Sequence, residues 1–136
     1  MGLSPNVGAA EMLRALAASL CFEMARTFKG AAGAGAFDSI VLGGGAAQGS
    51  FFQQIMAALF HPVPVHVALD PDLAGSRGAI YAFSPRAACG ETLRAAAPGR
   101  QLRARVKRHF DQYMFVLNRL LGRKCSASGL RMFSLH

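Results

Sequence analysis

The sequence predicts an α/β fold, and three observations carry that prediction. An apolar run, Ile40-Val41-Leu42, ends in three glycines and passes straight into a helical pattern. A second β-branched run, with Val63, Val65 and Val67, follows one helix later. Stretches of helical period flank this pair on both sides within the 136 residues. Strand, helix and strand in that order describe a βαβ unit with parallel strands and a right-handed crossover.

Taken in order, residues 8 to 28 are predicted as an amphipathic helix with Met12, Leu13, Leu16, Leu20 and Met24 on one side and Glu11 and Arg14 elsewhere. Gly30-Ala31-Ala32-Gly33-Ala34-Gly35 reads as a flexible connector. The run at 38 to 42 lacks polar alternation, so it is expected to be a central parallel strand covered on both faces. Residues 50 to 60 form a second helix, with Phe51, Phe52, Ile55, Met56 and Leu59 as its apolar set. Val63, Val65 and Val67 then make a strand in which Pro64 implies an edge position or an irregular end. A third helix spans 73 to 83 and stops at Ser84-Pro85. Residues 89 to 121 are read as a loop and a terminal helix, whose apolar positions are Val106, Phe110, Tyr113, Met114, Leu117 and Leu121. Residues 122 to 136 lack any period and are expected to fray. Two strands are too few for a stable open sheet, so further strands are expected from an N-terminal portion, with Met1 an internal start or truncation point.

The junction Gly43-Gly44-Gly45-Ala46-Ala47-Gln48-Gly49-Ser50 is the candidate binding element. Glycines remove every Cβ from such a turn, and the helix that follows offers free N–H groups to a ligand. By itself the feature serves equally as a tight strand-to-helix turn. Two standard phosphate motifs fail here: the dinucleotide fingerprint needs glycine where Gln48 stands, and no Gly-Lys-Ser/Thr triplet occurs.

The surrounding blocks resemble the C-terminal half of FGGY-family carbohydrate kinases, nearest to the xylulokinase-like members, from about residue 2 to about residue 121. Gly2-Leu3-Ser4 with Leu13-Arg14-Ala15 and Phe22 is similar to the family's first helix. Phe37-Asp38-Ser39-Ile40-Val41-Leu42-Gly43-Gly44-Gly45-Ala46 is similar to its strand and adenosine turn. Gln53, Pro62-Val63, Asp70-Pro71, Leu73-Ala74 and Arg77-Gly78-Ala79 continue the match in order. The resemblance implies part of a ribonuclease H-like domain of the actin-like ATPase superfamily. In it, helices would pack on a short, mainly parallel sheet, and a basic amphipathic helix would close the chain. Residues 1 to 88 would be part of the nucleotide-binding domain and 89 to 121 its loop and terminal helix. Gly43, Gly44, Gly45, Ala46, Gln48 and Gly49 would line the nucleotide. ATP and Mg²⁺ would be the cofactors, a sugar or polyol the acceptor, and an N-terminal kinase lobe the partner. The chain departs from the family pattern at Val7, Gly8, Ala9, Ala18, Ser19, Gly49, Ala57 and Phe60, and Phe51 stands where tryptophan is usual.

No catalytic residue is expected here. Phosphoryl transfer needs an aspartate beside the acceptor hydroxyl and carboxylates that hold Mg²⁺ near the phosphates. Glu11, Glu23, Asp38, Asp70, Asp72, Glu91 and Asp111 are the only carboxylate side chains, and none lies in an Asp-Gly-Thr/Ser hairpin. The chain alone should be inactive, whether as part of a working kinase or as a kinase remnant that acts as a protein-interaction module.

Charge is segregated. Through Ala88 five basic residues balance five acidic ones, so the net +8 arises beyond that point. A solvated face on a docked helix accounts for this basicity, and nucleic acid is a poorer reading for want of any reader motif. Cys21, Cys89 and Cys125, and His61, His66, His109 and His136, show no disulfide or metal spacing. Arg14, Glu23 and Arg26 interrupt the first helix, which excludes a span there. The expectation is therefore a reduced cytoplasmic protein without a membrane partner, its open sheet edge available to a homodimer.

Overall fold

In a computed structural model, which describes residues 7–32, 37–81, 83–84 and 91–122, three helices share a core with a small mixed sheet. The described elements are α1 (Ala9–Ala32), β1 (Ile40–Leu42), α2 (Ser50–Phe60), β2 (Val65–Ala68), α3 (Ala74–Tyr81), β3 (Thr92–Arg94) and α4 (Arg100–Leu120). Short 3-10 turns at Gly45–Gln48 and Pro71–Leu73 precede α2 and α3. The sheet order is β1-β2-β3, with β1 parallel and β2–β3 antiparallel. The parallel pair joined through α2 is the one the sequence predicts.

Several expectations need correction. The strand runs from Ile40, since Asp38 and Ser39 lie before the ladder. It is not covered on both faces, for Val41 keeps 56% of its surface exposed. The Val65–Ala68 strand is central, not at an edge, because β3 pairs with its far side, Val67 opposite Leu93. Pro64 stands just outside that ladder, and its carbonyl accepts the Ile40 N–H at 3.0 Å, which starts the parallel register without a proline inside it. The segment read as loop thus contains a strand, and the sheet is mixed rather than mainly parallel. The third helix begins at Ala74, after the 3-10 turn. Gly30, Ala31 and Ala32 belong to α1 instead of a connector. The rest of that connector, Gly2-Leu3-Ser4, Pro85, Cys89, Cys125 and the tail from residue 123 lie outside the described residues.

The core joins Cys21, Phe22 and Ala25 of α1 to Ile55, Met56, Ala57, Leu59 and Phe60 of α2, with Leu42, Val65 and Val106. Leu102, Phe110 and Tyr113 pack α4 against it. The Phe22 ring meets Phe110 edge-on at 5.6 Å and Tyr113 at 5.7 Å. Lys29 closes the far end of α1. Its Nζ donates to the Leu59 carbonyl at 3.0 Å and lies 5.2 Å from the centre of the Phe110 ring. Burial lowers its pKa, and it also pushes the Cys21 thiol up to about 11. The expected apolar side of α1 is different: Met12, Leu13, Leu16, Leu20 and Met24 are all exposed. The helix docks instead through a different stripe, Ala18, Cys21, Phe22 and Ala25.

One carboxylate ties α1 to α4. Glu23 accepts from Arg26 in an ion pair, and the Tyr113 hydroxyl donates to Glu23 Oε2 at 2.8 Å. The Arg26 hydrogen bonds, followed by that of Tyr113, lower the Glu23 pKa to about 2. A carboxylate whose folded pKa is depressed contributes stability above its unfolded value and loses it as pH falls through the folded one. The urea midpoint is therefore expected to drop between about pH 4.5 and pH 2. In Glu23→Gln that part of the pH dependence should vanish. An unchanged profile in the variant would contradict the assignment.

Candidate functional site

Strand β1 delivers the chain into the glycine turn, and the first two glycines serve the fold. A Cβ on Gly43 would stand 2.7 Å from that of Ala74, so only glycine lets the end of β1 meet the start of α3. Gly44 has φ 87° and ψ 166°, a conformation open in practice to glycine alone. Its N–H donates to the Pro71 carbonyl at 2.6 Å and locks the glycine turn to the Pro71–Leu73 turn.

The next residues are held from behind. Ala47 is buried, and its N–H donates to the Gly44 carbonyl at 3.0 Å. Gln53 reaches back from α2, its Nε2 donating to the Ala47 carbonyl at 2.7 Å. Gly45, Ala46, Gln48 and Gly49 are exposed. A Cβ at Gly45 would come no nearer than 3.8 Å to Asp72 Oδ1, and one at Gly49 no nearer than 3.5 Å to the Ala46 carbonyl. Both are ordinary contacts. Packing within the described chain therefore does not demand glycine at either position.

Gln48 leans across to the second turn, its Nε2 donating to both carboxylate oxygens of Asp72 at 2.8 Å. Asp70 accepts from Arg77 of α3 at 2.8 Å. Both carboxylates are exposed and Asp70 makes no side-chain cap; Asp72 ties the second turn to the glycine turn, and Asp70 ties it to α3. Beside these turns lies an open groove of about 420 Å³, bordered by Gln48, Val67, Ala68, Asp70, Asp72 and Leu93 among others. It sits past the carboxyl end of β2, where open α/β sheets bind their ligands.

Of the six residues expected at a nucleotide, Gln48 borders the groove, while Gly45, Ala46 and Gly49 present open backbone on the same turn. Gly43 and Gly44 support them from the fold side. Asp72 was missed because its link to Gln48 spans 24 residues and depends on the fold. Among the described residues no group of three His, Cys, Asp or Glu side chains is placed to hold a metal ion. No described helix is long and apolar enough to cross a membrane.

The family model for the C-terminal domain of the FGGY family of carbohydrate kinases matches residues 1–84. Neither the curated proteins nor the solved structures yield a match.

Proposed function

The chain belongs to the FGGY family of carbohydrate kinases, and on that premise we propose that it supplies the adenosine side of the ATP site in a sugar or polyol kinase. The observation that carries this reading is the division of labour among the glycines. Gly43 and Gly44 are required by packing and backbone conformation, whereas Gly45 and Gly49 are not, which leaves their bare backbone for a ligand.

The donor set suits a nucleoside better than a polyphosphate. The Gln48 amide can pair with a base edge, and the carboxylates of Asp70 and Asp72 can accept from ribose hydroxyls or a base amino group, while they repel phosphate oxygens. Val67 and Leu93 add apolar wall for the flat base. Bound Mg-ATP supplies the transferable phosphoryl group. Binding and orienting the adenosine is the part assigned to Gly45, Ala46, Gln48 and Gly49. The metal ion, the catalytic aspartate and the acceptor are assigned to an N-terminal lobe, within the actin-like fold typical of such kinases and nearest in kind to xylulokinases. The open edge of β1 and the bare face at Val41 leave room for further strands and a covering layer from that portion. On this reading the chain by itself transfers no phosphoryl group.

Gly45→Val tests the proposal. The added side chain would occupy the place of the nucleotide, and Mg-ATP affinity should fall at least about tenfold, near 1.4 kcal/mol. Thermal stability should stay close to the parent because the position is exposed. Equal Mg-ATP affinity in the two proteins, measured by calorimetry, would remove the site.

A further inference from the structure

Gln48 and Asp72 face one another across the two turns that border the groove, and each stands on backbone that is already fixed. Ala47, beside Gln48, is buried, and its carbonyl is held by Gln53 Nε2 at 2.7 Å. Asp72 lies in the Pro71–Leu73 turn, which the Gly44 N–H clamps through the Pro71 carbonyl at 2.6 Å. A Cβ on Gly45 would lie 3.8 Å from Asp72 Oδ1, so the carboxylate stands against the same bare backbone that is assigned to the nucleoside.

The contact between the two side chains is chemically one-sided. Gln48 Nε2 stands 2.8 Å from both Asp72 oxygens, and the two N–H bonds of an amide diverge too widely to serve one carboxylate edge together. One N–H is therefore shared between the oxygens, which leaves Oε1 and the other N–H for a ligand. A carboxylate only accepts, so turning the amide over would set Oε1 against it. The order of donor and acceptor on the free edge of Gln48 is thus fixed by Asp72.

On the basis of the adenosine assignment, we propose that Asp72 makes this site choose adenine over guanine, acting through Gln48 as a positioning residue. An amide that offers one acceptor and one donor in fixed order matches the adenine edge, where the exocyclic amino group donates and the neighbouring ring nitrogen accepts. Guanine carries an oxygen in place of that amino group, and it meets Oε1 as acceptor against acceptor. An amide free to turn would meet either base.

Calorimetric titration of the 136-residue chain with Mg-ATP and with Mg-GTP tests this role. ATP is expected to bind at least about tenfold more tightly than GTP. In Asp72→Asn, whose amide donates as well as accepts, Gln48 is released to turn, and the two affinities should come within about threefold of each other. Gln48→Met should also bring them together, by removing the edge itself. Neither variant should move the urea midpoint, since both residues are exposed. Asp70 brings the same charge to the groove but pairs with Arg77, so Asp70→Asn should shift both nucleotides alike and keep their ratio. Equal binding of ATP and GTP by the parent chain would overturn the proposal and leave the adenosine site standing, as would an unchanged preference in Asp72→Asn. Binding of neither nucleotide would remove the adenosine assignment and the role of Asp72 with it.

Discussion

Replacing Met56 with alanine is expected to lower the stability of the protein by about 2–5 kcal/mol, the range for truncating a buried methionine. Met56 is fully buried on α2, the element against which α1, α4 and β2 all pack. Its neighbours Ile55 and Leu59 are fixed by the same helix, so the site has little freedom to collapse around the void. Domains of this size are stable by only about 5–15 kcal/mol in total. A loss in the upper half of the range would leave a large unfolded fraction at 37 °C. Urea denaturation followed by circular dichroism reads the effect as a lower midpoint at constant slope. Phe51, exposed at the outer end of the same helix, is the control, and Phe51→Ala should cost distinctly less. Equal costs would mean that α2 is not the hub described.

The second large effect is expected at Gly44. No atom lies within 4 Å of the Cβ that a substitution would add, so the penalty of Gly44→Val comes from the backbone and not from a clash. Holding a β-branched residue at φ 87° costs on the order of 1–3 kcal/mol. Relief of that strain would break the bond from the Gly44 N–H to the Pro71 carbonyl and part the two turns. Gly44→Val should therefore lower both the urea midpoint and the nucleotide affinity. Gly45→Ala, one residue on, should stay within about 0.5 kcal/mol of the parent in stability. If the two substitutions prove equally harmful to the fold, the distinction between supporting and ligand-facing glycines fails.

What could be read from the sequence was whatever local pattern dictates. Helix α2 was placed to its ends, because its apolar spacing, the glycine before Ser50 and the proline after His61 leave little choice. The glycine turn was placed too, since a buried strand running into three glycines has few outcomes. β3 was not legible: Thr92-Leu93-Arg94 has no strand signature of its own and becomes a strand by pairing with β2. α1 shows why period alone misleads. Periodicity revealed the row of large side chains, but Ala18, Cys21, Phe22 and Ala25 form a second stripe whose small members admit close approach to α2. The extra turn of α1 past Phe28 likewise rests on the contacts of Lys29 with Leu59 and Phe110, which no local propensity announces. In the site, the backbone elements follow from local pattern, the link between Gln48 and Asp72 needs the second turn folded back on the first, and that between Arg77 and Asp70 needs α3 to turn back over the residues before it.

The central claim, that the exposed part of the glycine turn receives adenosine, is most directly tested by titrating the ¹⁵N-labelled chain with Mg-ATP and following its backbone amide resonances. Saturable shifts are expected at Gly45, Ala46, Gln48 and Gly49 and around the groove at Val67, Ala68 and Asp72, reproduced by adenosine but not by tripolyphosphate. Shifts confined to the basic positions of α4, or no shift at millimolar nucleotide, would contradict it.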